Sequence, residues 1–393
     1  MNKNVHSRER LSLYLFAVPI TVISFFMKKD KNMAIFTAFL NVKFNFNSKY
    51  LFLYFIENIK HYRPYFVIND DTLREQLNMT IGNYFIETKT FHGKLFALKA
   101  SIWFISSLEF PVGGFFLACG RNVIHLGHGT PLKNIGLLEK NISSLKRIYY
   151  GIIKTNISYT LASSIFFRPI ISRFLGVSEN RVLVAGHARN DRLFINAKLD
   201  LNKIVGKENM KHILYVPTWR TTAKVKFFPF IDFAEDELAD FLVDNDINIF
   251  IRTHPGFEDE IDRKILDIPN VYVFSEKEYG EIMDYLNLFD LLITDYSSVY
   301  FDYLLLDRPI IFLPYDYDEY NAEIGFTVPY YDYTPGDKPS TLDEFMNAIC
   351  TAFKADKFKD ERARVNRLCN TYGRDNCKEF VSLLSEIGIL SVK

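Results

Sequence analysis

At 393 residues the chain exceeds one ordinary hydrophobic core and predicts two domains of similar size. Its 48% hydrophobic and 24% charged residues exclude a disordered chain. Lys plus Arg equals Asp plus Glu at 47 each, so overall charge gives no footing for a nucleic-acid partner.

The charge is unevenly spread. Residues 1–63 carry ten Lys or Arg against three acids, a formal +7. Within that basic region Leu11 to Met27 is a nearly uncharged run of 17 residues containing Pro19, flanked by Arg8 and Arg10 on one side and Lys28 and Lys29 on the other. The run is shorter than the ~20 apolar residues of a bilayer crossing, and positive charge on both flanks gives no orientation signal. No small-residue cleavage site follows, which argues against a secretory signal. Two readings remain: an interfacial segment with its basic flanks on anionic headgroups, or a hydrophobic helix packed on its own domain. The basic flanks favour the first, making 1–30 a membrane-surface segment. Cys119, Cys350, Cys369 and Cys377 have neither metal-ligand spacing nor the density of a disulfide scaffold, and fit a reducing compartment.

From Met33 the pattern becomes strand and helix in alternation. Met33 to Leu40 and Tyr65 to Ile68 read as buried strands with Tyr50 to Lys60 helical between them. Further short strands are expected at Tyr84 to Ile86, Phe115 to Leu117, Val123 to Leu126, Tyr159 to Ala162 and Arg181 to Ala185. The polar segment 190–211 is the expected connection, dividing an N-terminal domain at 31–200 from a C-terminal one at 201–393. A second series follows at His212 to Val216, Ile247 to Ile251, Val271 to Phe274, Leu291 to Thr294 and Ile310 to Leu313. The last forty residues read as helices closing the C-terminal domain. The expected fold is α/β, two doubly wound Rossmann-like domains facing a central cleft.

Four strand ends carry the chemistry. At Leu126 to Lys133 a strand runs into a turn in which Gly127 and Gly129 leave His128 unshielded, with Lys133 close behind. His128 is a candidate general base, because a neutral imidazole can take a proton from a hydroxyl. A plain turn histidine is the competing reading, and a metal pair with His125 lacks a third ligand at suitable spacing. Thr218 and Arg220 end one strand of the second series, and Arg252 and His254 end the next, so cationic donors could converge on a polyphosphate. Asp295, Ser297 and Ser298 open a helix, Tyr300 to Leu306, that is apolar except for Asp302; the serines either cap it or bind phosphate. Arg189 lies in a fourth strand-end block, Gly186 to Asp191, which could equally be a solvated loop. No P-loop or complete dinucleotide fingerprint occurs, so ATP and NAD are poor guesses.

Taken together, Gly127-His-Gly-Thr-Pro-Leu-Lys133, Tyr215-Val-Pro-Thr-Trp-Arg220, Arg252-Thr-His-Pro255 and Asp295-Tyr-Ser-Ser298 resemble, in order, the signature blocks of the CDP-glycerol:poly(glycerophosphate) glycerophosphotransferases, the teichoic-acid primases and polymerases with relatives in capsule synthesis. Asn47-Ser-Lys-Tyr-Leu-Phe52 is similar to the family's early motif. The resemblance implies a GT-B arrangement whose C-terminal domain binds a CDP-linked polyol. It implies transfer of glycerol phosphate from CDP-glycerol, or of ribitol phosphate from CDP-ribitol, to a lipid-linked glycan or growing polymer with release of CMP. A nucleotide-sugar glycosyltransferase is the alternative enzyme, and a catalytically dead scaffold the alternative of another class. By motif, His128 resembles the catalytic base and His254 the second essential histidine; Thr218, Arg220, Arg252, Asp295, Ser297 and Ser298 fall on the donor-phosphate side. Gly129, Thr130, Lys133, Arg189 and Asp302 fall on the acceptor side or in support. Two positions depart from the family pattern: Gly127 where an aromatic residue is usual, and Ala188 where proline is usual. No tightly bound cofactor or protein-held metal is implied; Mg²⁺ accompanying the nucleotide is the one metal the chemistry admits. The implied location is peripheral, on the cytoplasmic face of an anionic membrane.

Overall fold

Short runs rich in Ile, Val and Phe, too short to be helices and buried on both faces, build two all-parallel sheets. The computed structural model describes residues 17–220, 224–253 and 261–391. It falls into two compact units. The first takes the described residues through Thr130, Ile135–Asp191 and everything from Thr371 onward; the second takes Pro131–Asn134 and Arg192–Asn370.

The first unit holds a seven-stranded sheet in the order β3-β2-β1-β4-β5-β6-β7, formed by β1 (Asp30–Thr37), β2 (Arg63–Val67), β3 (Phe85–Ile86), β4 (Ala100–Ile105), β5 (Asn122–His125), β6 (Tyr159–Ala162) and β7 (Val182–Val184). The strand order reverses between β1 and β4, as in doubly wound folds. The core beneath is aromatic. Phe36 meets Phe52 and Phe55 edge-on at 5.5 and 5.4 Å and stacks on Phe104 at 4.8 Å. These contacts seat the helix Phe46–Asn58 on the sheet, which is what brings Asn47 over the end of β5.

The second unit holds a five-stranded sheet, β10-β9-β8-β11-β12, from β8 (Lys211–Val216), β9 (Ile247–Ile251), β10 (Val271–Val273), β11 (Leu291–Thr294) and β12 (Ile310–Phe312). Its order reverses between β8 and β11, whose carboxyl ends carry Thr218 and Asp295. Residues Ile213, Ile249, Ile293 and Phe345 are fully buried in one cluster that joins the sheet to the helix Leu342–Lys354.

The structure differs from the expected elements in four places. Phe115 to Leu117 is not a strand: Phe116 has φ 53°, and the N–H groups of Phe115 and Leu117 donate to Thr21 and Asn156 side chains instead of to a ladder. The strand taking its place in the sheet is β4, whose apolar run merges in sequence with the helix Phe91–Leu98 one residue before it. The helix after β11 is a five-residue one, Val299–Tyr303, followed by a 3₁₀ turn at Leu304–Leu306, and Asp295 does not cap it. The division between units falls at Asp191 rather than near residue 200, and the C-terminal helix Asn376–Glu386 returns to the first unit. The reason is local: the Asp191 carboxylate accepts from the N–H groups of Asn376 and Cys377 at 2.7 and 2.9 Å, which places a negative charge at that helix's N-terminus.

The helix Ala17–Phe26 covers the described part of the hydrophobic run; residues 11–16 and the flanking Arg8 and Arg10 lie outside the described residues. Among the described residues no helix is long and apolar enough to cross a membrane.

Candidate functional site

In the first unit the chemistry sits on the loop that leaves β5. Gly127 and Gly129 have φ of 66° and 141°, backbone conformations that L side chains rarely adopt. At Gly129 space is also lacking, because an added Cβ would lie 2.5 Å from Nη2 of Arg189. That guanidinium holds the loop: Arg189 Nη1 donates to the His128 carbonyl at 2.5 Å. Asn47 holds it from the other side. Its Nδ2 donates to the carbonyls of Leu126 and Gly127 at 3.2 and 2.9 Å, and its Oδ1 accepts from the Arg189 N–H at 3.2 Å. The backbone of His128 is thus clamped while its side chain is exposed, with the ring 5.3 Å from that of Phe46. Phe46 has φ 59°, a strained conformation for an aromatic residue and one that occurs beside functional groups.

Beneath the loop lies a second histidine that the sequence reading passed over. His187 is buried; Asn47 Nδ2 donates to its Nδ1 at 3.1 Å, which directs the Nε2–H toward Thr130 Oγ1 at 3.4 Å, and Thr130 in turn donates to Ser163 at 2.8 Å. His125, at the end of β5, is paired with Thr160 at 2.9 Å. Burial, and then the neighbouring charge of His128, pushes the His125 pKa down to about 3. Burial followed by Arg189 does the same for His187. Both rings are therefore neutral supports, and of the three histidines His128 is the exposed one.

A pH prediction follows from those two shifts. The unfolded chain binds a proton on each ring near pH 6.5, whereas the folded protein resists protonation down to about pH 3. Stability is fully present above pH 6.5 and falls as the pH drops, by up to about 1.4 kcal/mol per pH unit for each ring. Denaturant midpoints measured at pH 7.5, 6 and 5 check this; a flat series contradicts it.

Gly129→Ala is expected to lower activity by displacing the Arg189 clamp, and to cost about 1–3 kcal/mol through strain at its positive φ. Kinetics and thermal unfolding of the one variant test both effects.

In the second unit the strand ends after β8 and β11 interlock. Asp295 Oδ1 accepts from the N–H groups of Thr218 and Tyr296 at 2.8 and 2.5 Å, and Asp295 lies 2.9 Å from Arg220 Nη1. Arg220 also makes a two-pronged pair with Asp316, at 2.7 and 2.9 Å, and its guanidinium lies 4.9–5.1 Å from the rings of Tyr296, Tyr315 and Tyr320. Burial alone would lower its pKa, but the bonds to Asp316 and the charge of Asp295 outweigh that and hold it above the usual arginine value. Arg252 donates to the carbonyls of Phe274 and Gly280 and lies 3.9 Å from Glu276. Both arginines stand where the sequence placed them, and both hold the wall of the site together with their donors.

The polar groups not used in this way are of another kind. Thr218 and Thr253 each have a buried Oγ1 with no partner among the described residues. Among the described residues Ser297 accepts only a 3.5 Å contact from Val299 N–H, and Ser298 makes no side-chain cap. Lys133 belongs to this unit: Pro131–Asn134 pairs antiparallel with Gly325–Thr327, through Asn134 N–H to Gly325 O at 3.0 Å and Thr327 N–H to Leu132 O at 2.9 Å. Burial lowers the Lys133 pKa, Asp295 raises it and Arg220 lowers it, so its ammonium lies within the field of that pair. Asp302 is buried in the helix after the serines. His254 lies outside the described residues. Thr253 was not singled out by sequence, because an isolated threonine carries no signal until its hydroxyl is found unpaired. Among the described residues no three His, Cys, Asp or Glu are grouped to hold a metal ion.

A family model described as CDP-Glycerol:Poly(glycerophosphate) glycerophosphotransferase matches residues 20–381. Similar curated proteins include a teichoic acid glycerol-phosphate transferase of Staphylococcus aureus, 32% identical over 58% of this chain and 60% of its own. A teichoic acid glycerol-phosphate primase of Bacillus subtilis is 26% identical over 64% of each. The matched stretches thus span less than two thirds of those relatives. Among solved structures, that of the wall teichoic acid polymerase TagF is similar with a TM-score of 0.75 at 20% identity, covering 98% of this chain and 95% of that one, which shows the GT-B fold.

Proposed function

The chain belongs to the CDP-glycerol:poly(glycerophosphate) glycerophosphotransferase family, and from that premise we propose that it transfers glycerol phosphate from CDP-glycerol to a hydroxyl of a lipid-linked glycan or growing polymer and releases CMP. The observation that carries the reading is His128, an exposed imidazole on a loop whose backbone Arg189 and Asn47 hold rigid. In the reaction His128 takes the proton of the acceptor hydroxyl. The freed oxygen attacks the phosphorus next to glycerol, its bond to the CMP oxygen breaks, and the charge departs with CMP. Stabilising that charge is the main service a protein gives phosphoryl transfer. Lys133 and the hydroxyls of Thr218, Thr253, Ser297 and Ser298, beside a wall built by Arg220, Arg252 and Asp295, are the groups assigned to it, and His254 is assigned to it by motif alone. Among the described residues the buried carboxylate at these strand ends, Asp295, is ion-paired with Arg220 and accepts from two backbone N–H groups, so the proposal gives the protein no metal of its own and leaves Mg²⁺ to the nucleotide.

Mass spectrometry of products from CDP-glycerol, CDP-ribitol and nucleotide sugars, each with a lipid-linked acceptor, tests the assignment. Glycerol phosphate addition supports it. Ribitol phosphate or sugar addition replaces the donor, and no product with any donor favours a scaffold.

The proposed location is the cytoplasmic face of an anionic membrane. Its support is the helix Ala17–Phe26, which turns Ala17, Ile20 and Ser24 inward and leaves Val18, Val22, Phe25 and Phe26 exposed. Deleting residues 1–30 is expected to abolish sedimentation with anionic liposomes; unchanged sedimentation defeats it.

A further inference from the structure

The strands of a parallel sheet share their N-terminal edge, and in the first unit that edge, opposite to the one carrying His128, holds positive charge that the described residues do not balance. Arg121 directly precedes β5 and Lys29 directly precedes β1. Arg121 is 5% exposed and stacks on Trp103 at 4.0 Å. Its Nη2 donates to Ser24 Oγ at 3.1 Å and to Leu98 O at 2.8 Å, while Nε and Nη1 have no hydrogen-bond partner among the described residues. Lys29 Nζ donates to the Ser24 carbonyl at 2.7 Å, so the two cations meet at one serine. Among the described residues no carboxylate forms an ion pair with either. Burial, then the charge of Arg121, lowers the Lys29 pKa to about 8. A buried cation without a counter-ion is costly, and an anion supplied from outside removes that cost.

The same serine belongs to the helix Ala17–Phe26, whose outer stripe is apolar. Val18, Val22, Phe25 and Phe26 recur at helical spacing and are 66%, 51%, 52% and 87% exposed. An apolar stripe in front of an unbalanced cation pair has the chemistry of an acyl chain joined to a phosphate. We propose that this edge binds the headgroup phosphate of an anionic phospholipid: Lys29, the more exposed cation, meets it first, Arg121 Nε and Nη1 complete the site, and the stripe enters the acyl layer. For the phosphate to reach Arg121 the Ser24 contact must yield; the helix stays attached through the Phe115 N–H to Thr21 Oγ1 bond at 2.8 Å. The proposal rests on the membrane reading above and adds a headgroup site to it.

The test is sedimentation of the full chain with phosphatidylcholine vesicles and with vesicles containing phosphatidylglycerol. Wild type is expected to prefer the anionic vesicles. Lys29→Gln should reduce that preference by about fivefold, and clearly more than Lys28→Gln, which removes the same charge from an exposed neighbour. Phe25→Ser with Phe26→Ser should weaken binding to both vesicle types and keep their ratio. Arg121→Met should lose the preference while keeping or raising the melting temperature, since it removes an unbalanced charge; a purely structural arginine would give the reverse. If Arg121→Met does not fold, Lys29→Gln decides alone. Lys29 and Arg121 variants that behave like Lys28→Gln overturn the headgroup site and leave the membrane reading standing. No sedimentation with either vesicle overturns both. Inorganic phosphate that stabilises wild type but not Lys29→Gln, without vesicle binding, assigns the site to a free anion and overturns the lipid.

Discussion

His128→Ala is expected to lower turnover by about 10²–10⁴-fold, the contribution of a positioned general base, with the melting temperature unchanged. The side chain is exposed, and what holds the loop is the backbone of residues 126–128, through Asn47 and Arg189. Removing the imidazole therefore leaves the clamp in place. CMP release from CDP-glycerol measures the effect, and a variant that retains most of its turnover ends the role assigned to His128. The pH profile adds a second readout. With His125 and His187 held neutral by burial down to about pH 3, neither accounts for an acidic limb above that pH, so such a limb in the wild type is expected to come from the general base. That limb disappears in the variant.

Asp295→Ala is expected to cost about 3–5 kcal/mol, because it leaves one side of a buried guanidinium and two buried N–H groups without their acceptor. Arg220 keeps Asp316, but Thr218 and Tyr296 lose the carboxylate that ties the end of β8 to the end of β11. Denaturant unfolding measures this. Ser297→Ala or Ser298→Ala should stay within about 0.5 kcal/mol of wild type, since neither hydroxyl caps the helix strongly, yet should lower turnover. The contrast separates groups that hold the wall from groups offered to a ligand. If the serine variants unfold and Asp295→Ala does not, the assignment is reversed.

Much of the fold was legible in the sequence. A run such as Leu291 to Thr294 is apolar on both faces and bounded by polar residues, which leaves a buried parallel strand as its economical conformation. The positions of His128, Thr218, Arg220 and Asp295 followed from the same logic, since the residues after a parallel strand's carboxyl end face the crevice. The strand β4 was missed because one residue separates it from a helix of similar composition, and periodicity cannot resolve a boundary that short. Phe115 to Leu117 was overread because an apolar triplet looks the same whether its N–H groups join a ladder or, as here, the side chains of Thr21 and Asn156.

What the sequence alone determined is the set of side chains at each strand end, because alternation of apolar runs and polar turns is a local property that composition and spacing express directly. Tertiary structure alone decided how each of those side chains is used. Arg220 is held by Asp316, 96 residues away, and Arg189 and Asn47 clamp a loop 61 and 80 residues distant, while Lys133 belongs to the second unit although the chain on either side of Pro131–Asn134 belongs to the first. Whether a charge is free for a ligand depends on which carboxylate lies within bonding reach, and spacing along the chain carries no information about that distance.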